Sequence, residues 1–170
     1  MDEAGRAVIF KMNLPISREQ TLLFRIHWLV AFFILGLFAS GVTAIPLLQE
    51  TNWLVKVFNV PWLLRVHAAL EQTQTQFPFL FYGTDWLAFG HIVIAIAFVG
   101  AWRDPVRNCW LFDFGLIACA LVVPYALVCG AWRGIPFWWR LIDCSFGVFG
   151  FIPLWLCCRW TDELERLVKR

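Results

Sequence analysis

The chain has 170 residues, a formal net charge of +2, 61% hydrophobic residues and 15% charged ones. That balance leaves too little polar surface for a water-soluble domain of this length. It also lacks the basic stripe with interleaved aromatics that nucleic-acid binding requires.

Four stretches carry no charged side chain: Ile26 to Gln49, Trp86 to Trp102, Phe114 to Trp132 and Cys144 to Cys158. A helix needs about 20 mostly apolar residues to cross the hydrocarbon core, so the first and third qualify directly. The second and fourth qualify with their tryptophan-rich or charge-paired flanks. The expected fold is an all-α membrane protein, a four-transmembrane-helix bundle with an amphipathic surface helix between helices 1 and 2. It forms one integral membrane domain over residues 1–170, with spans at about 24–46, 86–103, 110–132 and 138–158. The chain is tryptophan-rich, and ten of its 11 Trp residues sit near segment ends, where the indole favours the headgroup region. Trp155 is the exception, well inside a span.

The first span begins too late and runs too long for a signal peptide, so it is expected to stay in the mature protein. Gly36, Ser40 and Ala44 recur every four residues along it, a small-residue stripe that lets another helix approach closely. That helix belongs either to this chain or to a partner. The connection at about 50–85 opens with an amphipathic stretch, Asn52 to Glu71. Trp53, Leu54, Val57, Phe58, Trp62, Leu64 and Leu70 make its apolar side, as suits a helix lying on the membrane surface. Gln72 to Gln76 reads as a polar loop, and Phe77 to Tyr82 as the return to the interface. Short links with Asp104-Pro105 and Gly134-Ile135-Pro136 join the remaining spans, which makes helices two, three and four antiparallel neighbours by expectation.

Ten Lys and Arg residues fall on the side of the termini, among them Arg6, Lys11, Lys169 and Arg170. Four, Lys56, Arg65, Arg133 and Arg140, fall on the other. The positive-inside bias therefore makes both termini cytoplasmic, in what is expected to be a bacterial inner membrane, with the residue 50–85 connection outside.

Ionisable groups at membrane depth are the first places to look for function. Arg140 and Asp143 stand three apart on helix four, a spacing that lets them pair or present one polar contact to a partner or substrate. Asp113, near the inner end of helix three, is a capping or snorkelling acid, or a proton or cation site. The six cysteines lack a C-x-x-C pair. Cys157 and Cys158 face the reducing side, whereas Cys129 and Cys144 lie where one bridge is geometrically possible. Otherwise they are packing residues. Signature motifs of soluble hydrolases, zinc enzymes and phosphate-binding loops are missing.

Arg25-Ile26-His27-Trp28, followed by Asn52-Trp53-Leu54 and then Pro61, Leu64, Arg65 and His67, resembles the start of membrane cytochrome b (gamma) subunits of formate dehydrogenases and related di-haem b561-type anchors. The resemblance covers about residues 22–70. It implies a four-helix bundle, an axial haem ligand at His27 and a second at His67. Those families take further ligands from their last helix, while the third and fourth segments here hold no His, and Met1 and Met12 lie in the tail. Two bis-His haems are thereby excluded within the chain, and His27 and His91 lie at opposite ends of their spans. A single haem b between His67 and His91 is what the resemblance leaves.

The leading expectation is a small structural or accessory subunit of a larger membrane complex, without its own catalytic centre. Its partners are the lipid bilayer and a membrane protein or a second copy of the chain. The alternatives are a reduced cytochrome b-like electron-transfer subunit holding one haem b, and a bilayer-embedded enzyme or transporter component.

Overall fold

Residues 18–168 are described by the computed structural model; Arg6, Lys11, Lys169, Arg170, Met1 and Met12 lie outside the described residues. They form six helices and one 3-10 turn: α1 Arg18–Ala44, α2 Leu47–Phe58, α3 Pro61–Gln76, the turn Pro78–Phe81, α4 Tyr82–Arg103, α5 Trp110–Trp132 and α6 Phe137–Val168. No strand occurs among the described residues. Helices α1, α4 (with the turn before it), α5 and α6 are each long and apolar enough to cross a membrane. In hydrocarbon a helix bonds its own backbone groups internally, which is why uninterrupted apolar runs take this form.

The surface segment departs from expectation in two places. Instead of one helix it is a helical hairpin, broken where Pro61 lacks an amide hydrogen and clashes with a preceding turn. Asn59 closes α2 in the left-handed region at φ 42° with its amide donating to the Val55 carbonyl, and Val60 is extended. Gln72 to Gln76 continue α3 rather than looping, with the hydroxyls of Thr73 and Thr75 donating to carbonyls one turn back. The helix stops only at Phe77, whose position before Pro78 disfavours the α conformation. Inside the hairpin Thr51 and Leu63 are buried, while Trp53, Val57, Phe58 and Leu64 face outward as an unpacked apolar side.

The spans pack in the order α4–α1–α6–α5. Helices α4 and α5 are sequence neighbours yet meet little, contrary to the expectation for the second and third spans. The Asn108 side chain donates to the carbonyls of Gly100 and Asp104 at 3.1 and 2.9 Å, and the Arg107 amide donates to the Asp104 carboxylate. This fixes the turn at one end, and α1 and α6 take the places beside α4 and α5.

Two antiparallel seams depend on glycine. On α1–α4, a Cβ at Gly41 would lie 2.9 Å from the Ala88 carbonyl oxygen. On α5–α6, a Cβ at Gly147 would lie 2.5 Å from the Cys119 carbonyl oxygen, and one at Gly150 2.9 Å from Cys119 Sγ. Toward the ends of the chain all four spans converge on a common core of Ile26, Val30, Phe98, Ala101, Leu111, Phe112, Leu154, Cys157 and Leu164. Phe33 packs against Phe98 with the rings tilted and their centroids 4.8 Å apart, and it also reaches toward Gly150. Beyond the apolar stretch α6 continues to Val168, and Glu163 there accepts a hydrogen bond from Arg18 at the start of α1. The starts of α1 and α5 and the ends of α4 and α6 therefore share one side of the bundle.

These seams predict a contrast between glycines. Gly147→Ala places a methyl against backbone and should cost about 1–3 kcal/mol, as overpacking does. Gly90→Ala meets nothing within 4 Å and should leave stability unchanged or slightly raised. Thermal unfolding in detergent reads both, and equal midpoints would contradict the seam.

Candidate functional site

The polar groups at membrane depth gather on the half of α5 and α6 nearest the hairpin side. Arg140 lies one turn into α6, and its stem crosses the face of α5 because residue 130 is glycine: a Cβ there would come within 2.6 Å of Arg140 Cδ. The guanidinium reaches across the seam, where Nη1 donates to the Leu127 carbonyl at 3.0 Å. Nε is buried and has no hydrogen-bond partner. Cζ sits 5.3 Å from the Phe137 ring centroid, so the ring's electron-rich face supplies part of the solvation that water would give.

Asp143 does not pair with Arg140, although the spacing permits it. Among the described residues the ion pair is Arg18 with Glu163. The Leu127 carbonyl has captured the guanidinium, and the carboxylate faces another way. It opens into a broad hollow of about 870 Å³, lined on α5 by Leu121, Pro124, Tyr125 and Cys129, with Arg133 at its rim. Pro124 interrupts the hydrogen bonding of α5 here, since it has no amide to give to the carbonyl one turn back. Cys144, beside Asp143, is buried with Sγ 3.8 Å from the Val123 carbonyl. Cys129 and Cys144 are both free thiols, as are the other four cysteines.

Asp113 is exposed in the first turn of α5, where a carboxylate complements the positive end of the helix dipole. Cys158 lies 3.8 Å from its Oδ1. No side-chain hydrogen bond caps the start of α5, and no group of three or more His, Cys, Asp or Glu suited to a metal ion occurs among the described residues.

The histidines occupy separate seams. His27 packs against Trp102, with ring centroids 5.4 Å apart, where α1 meets α4. His91 lies at the other end of that seam beside Gly41, about 21 Å further along α1 at 1.5 Å per residue. Its Nδ1 is 2.8 Å from the Leu87 carbonyl. His67 sits inside the surface hairpin, with Nδ1 3.4 Å from the Thr51 hydroxyl, and α3 does not pack on α4. The hollow beside Asp143 is lined by no histidine. A haem-binding arrangement gains no support from this placement.

The small-residue stripe faces outward. Gly36 has nothing within 4 Å of a built Cβ and Ser40 is exposed, while Ala44 is half-buried near the end of the helix. Gly41, one position off the stripe, makes the contact inside the chain. Gly130 and Leu127, which set the position of Arg140, escape a reading of side chains alone. The available signal was a glycine on α5 at the depth of the Arg on α6.

Since the two charges make no direct contact, removing either should change the effect of removing the other only by a through-space term. A double-mutant cycle of Arg140→Met and Asp143→Leu, followed by thermal unfolding in detergent, should give a coupling of no more than about 1 kcal/mol. A coupling of several kcal/mol would show a buried pair.

Comparison of the chain with family models, with curated proteins and with solved structures yields no match to any of the three.

Proposed function

We propose that this chain is a small accessory subunit that works by lateral association within a membrane, holding a partner membrane protein or a second copy of itself against α1. The observation that carries this reading is the outward stripe. Gly36 and Ser40 form a shallow face on α1 that no described helix of this chain fills. In a bilayer there is little hydrophobic drive for helices to associate, and close backbone approach at small residues is one of the main means available. Among the described residues only α2, α3 and short links lie outside the four long apolar helices. The termini are assigned to the cytoplasm and the α2–α3 hairpin to the outside of a bacterial inner membrane. The ten-to-four division of basic residues supports this assignment.

Gly36→Leu combined with Ser40→Leu should leave the thermal midpoint of the isolated protein unchanged and abolish recovery of the partner, or of the dimer, on affinity purification from mild detergent. An unchanged assembly would remove the stripe from consideration. A b-type haem band in the dithionite-reduced spectrum of the purified protein would overturn the accessory reading in favour of electron transfer. For the topology, a single cysteine at Gln74 in a cysteine-free background should react with an impermeant maleimide in intact cells. Labelling only after permeabilisation would invert the assignment.

A further inference from the structure

The hollow beside Asp143 has a chemical character of its own. Its walls are mainly apolar, supplied by Leu121, Pro124 and Tyr125. Both signs of charge line it. The half-buried carboxylate of Asp143 is on α6, and the exposed guanidinium of Arg133 lies just beyond the end of α5. Asp143 makes no hydrogen bond or ion pair with any described residue, and the nearest cation along its own helix, Arg140, is engaged with the Leu127 carbonyl.

A carboxylate left at this depth without a partner is costly unless a cation or hydrogen-bond donor reaches it. A soluble cation would have to leave water to do so. An anion would suit Arg133 and oppose Asp143. A zwitterionic amphiphile satisfies both residues and leaves its hydrocarbon against the apolar wall. The volume lies within the range that holds small organic ligands, roughly 300–1,000 Å³.

We propose that the hollow is a binding site for an aminophospholipid from the leaflet on the hairpin side. The primary ammonium donates to Asp143, the phosphate accepts from Arg133, and an acyl chain lies along Leu121 and Tyr125. Selection for a primary amine follows from the carboxylate, since a quaternary ammonium has no N–H to give it. Arg133 recognises the phosphate and does not distinguish among headgroups.

Native mass spectrometry and thermal unfolding of the full-length protein in detergent, with added lipid, test the assignment. The probes are phosphatidylethanolamine, its N-methyl and N,N-dimethyl forms, phosphatidylcholine and phosphatidylglycerol, all with the same acyl chains. Phosphatidylethanolamine should bind and stabilise most, and the effect should fall with each added methyl, at least tenfold in apparent affinity by phosphatidylcholine. Asp143→Asn should remove this discrimination, and Arg133→Gln should weaken all the phospholipids while keeping their order. Equal effects of all five lipids on the unaltered protein would reduce the hollow to ordinary lipid contact and overturn the proposal, whether or not the variants fold. Discrimination that survives in Asp143→Asn would also overturn it. Soluble phosphoethanolamine is the last arm: stabilisation by it equal to that of the lipid would assign the hollow to a free zwitterion and not to a lipid.

Discussion

Close approach of helix backbones is the constraint on which this structure rests. Two apolar helices in lipid gain little by exchanging lipid contacts for each other, so their association depends on dense packing and on polar contacts across the seam. The chain meets this need at Gly41 between α1 and α4, and at Gly115, Gly147 and Gly150 between α5 and α6. At each, a single methyl would meet a carbonyl oxygen or a side chain at 2.9 Å or less. Large side chains then fill what the glycines leave, as Leu154 does over Gly115.

The same rule explains the uneven interior. Where the helix starts and ends converge, bulky residues from all four spans share one core. Toward the hairpin side the bundle resolves into two pairs, each with its own glycine contact. The second of these, Gly130 under Arg140, brings a charged side chain across the seam instead of an apolar one. Once the guanidinium lies over α5 and bonds a main-chain carbonyl, it is no longer available to Asp143. One glycine thus leads from packing to electrostatics, and it leaves the carboxylate without a partner among the described residues.

Much of the fold was legible because the bilayer simplifies the reading. Uncharged stretches bounded by tryptophan and charge marked four long apolar helices, of which α5 ran over the expected 110–132 while α1 began before residue 24 and α6 continued past 158. Pairing among the spans was not legible. Short links suggested that neighbours in sequence would be neighbours in space, but Asn108 ties α4 to α5 only at their link. The hairpin break was signalled by Pro61 and was outweighed by an apolar periodicity that passed through it. For the candidate site, the sequence marked Arg140 and Asp143, whose spacing allowed a pair or one polar contact for a partner or substrate. Spacing along one helix cannot reveal a carbonyl on the next one, so Leu127 was invisible. The stripe of Gly36 and Ser40 was read as small residues, but the side it faces depends on where Gly41 locks α4.

The order α4–α1–α6–α5 also constrains how the molecule is made. Helix α1 leaves the ribosome before the other described helices and ends between two of them, α4 and α6. The α1–α4 seam can close once about 100 residues have been synthesised, whereas the α1–α6 seam, and with it the Arg18–Glu163 bridge, requires nearly the whole chain. Until then one flank of α1, including Ile26 and Val30, waits uncovered in the membrane for a helix not yet translated. Closing the described bundle therefore sets the α5–α6 pair against the α1–α4 pair, and any factor that shields an immature α1 must release that flank before the bundle can close.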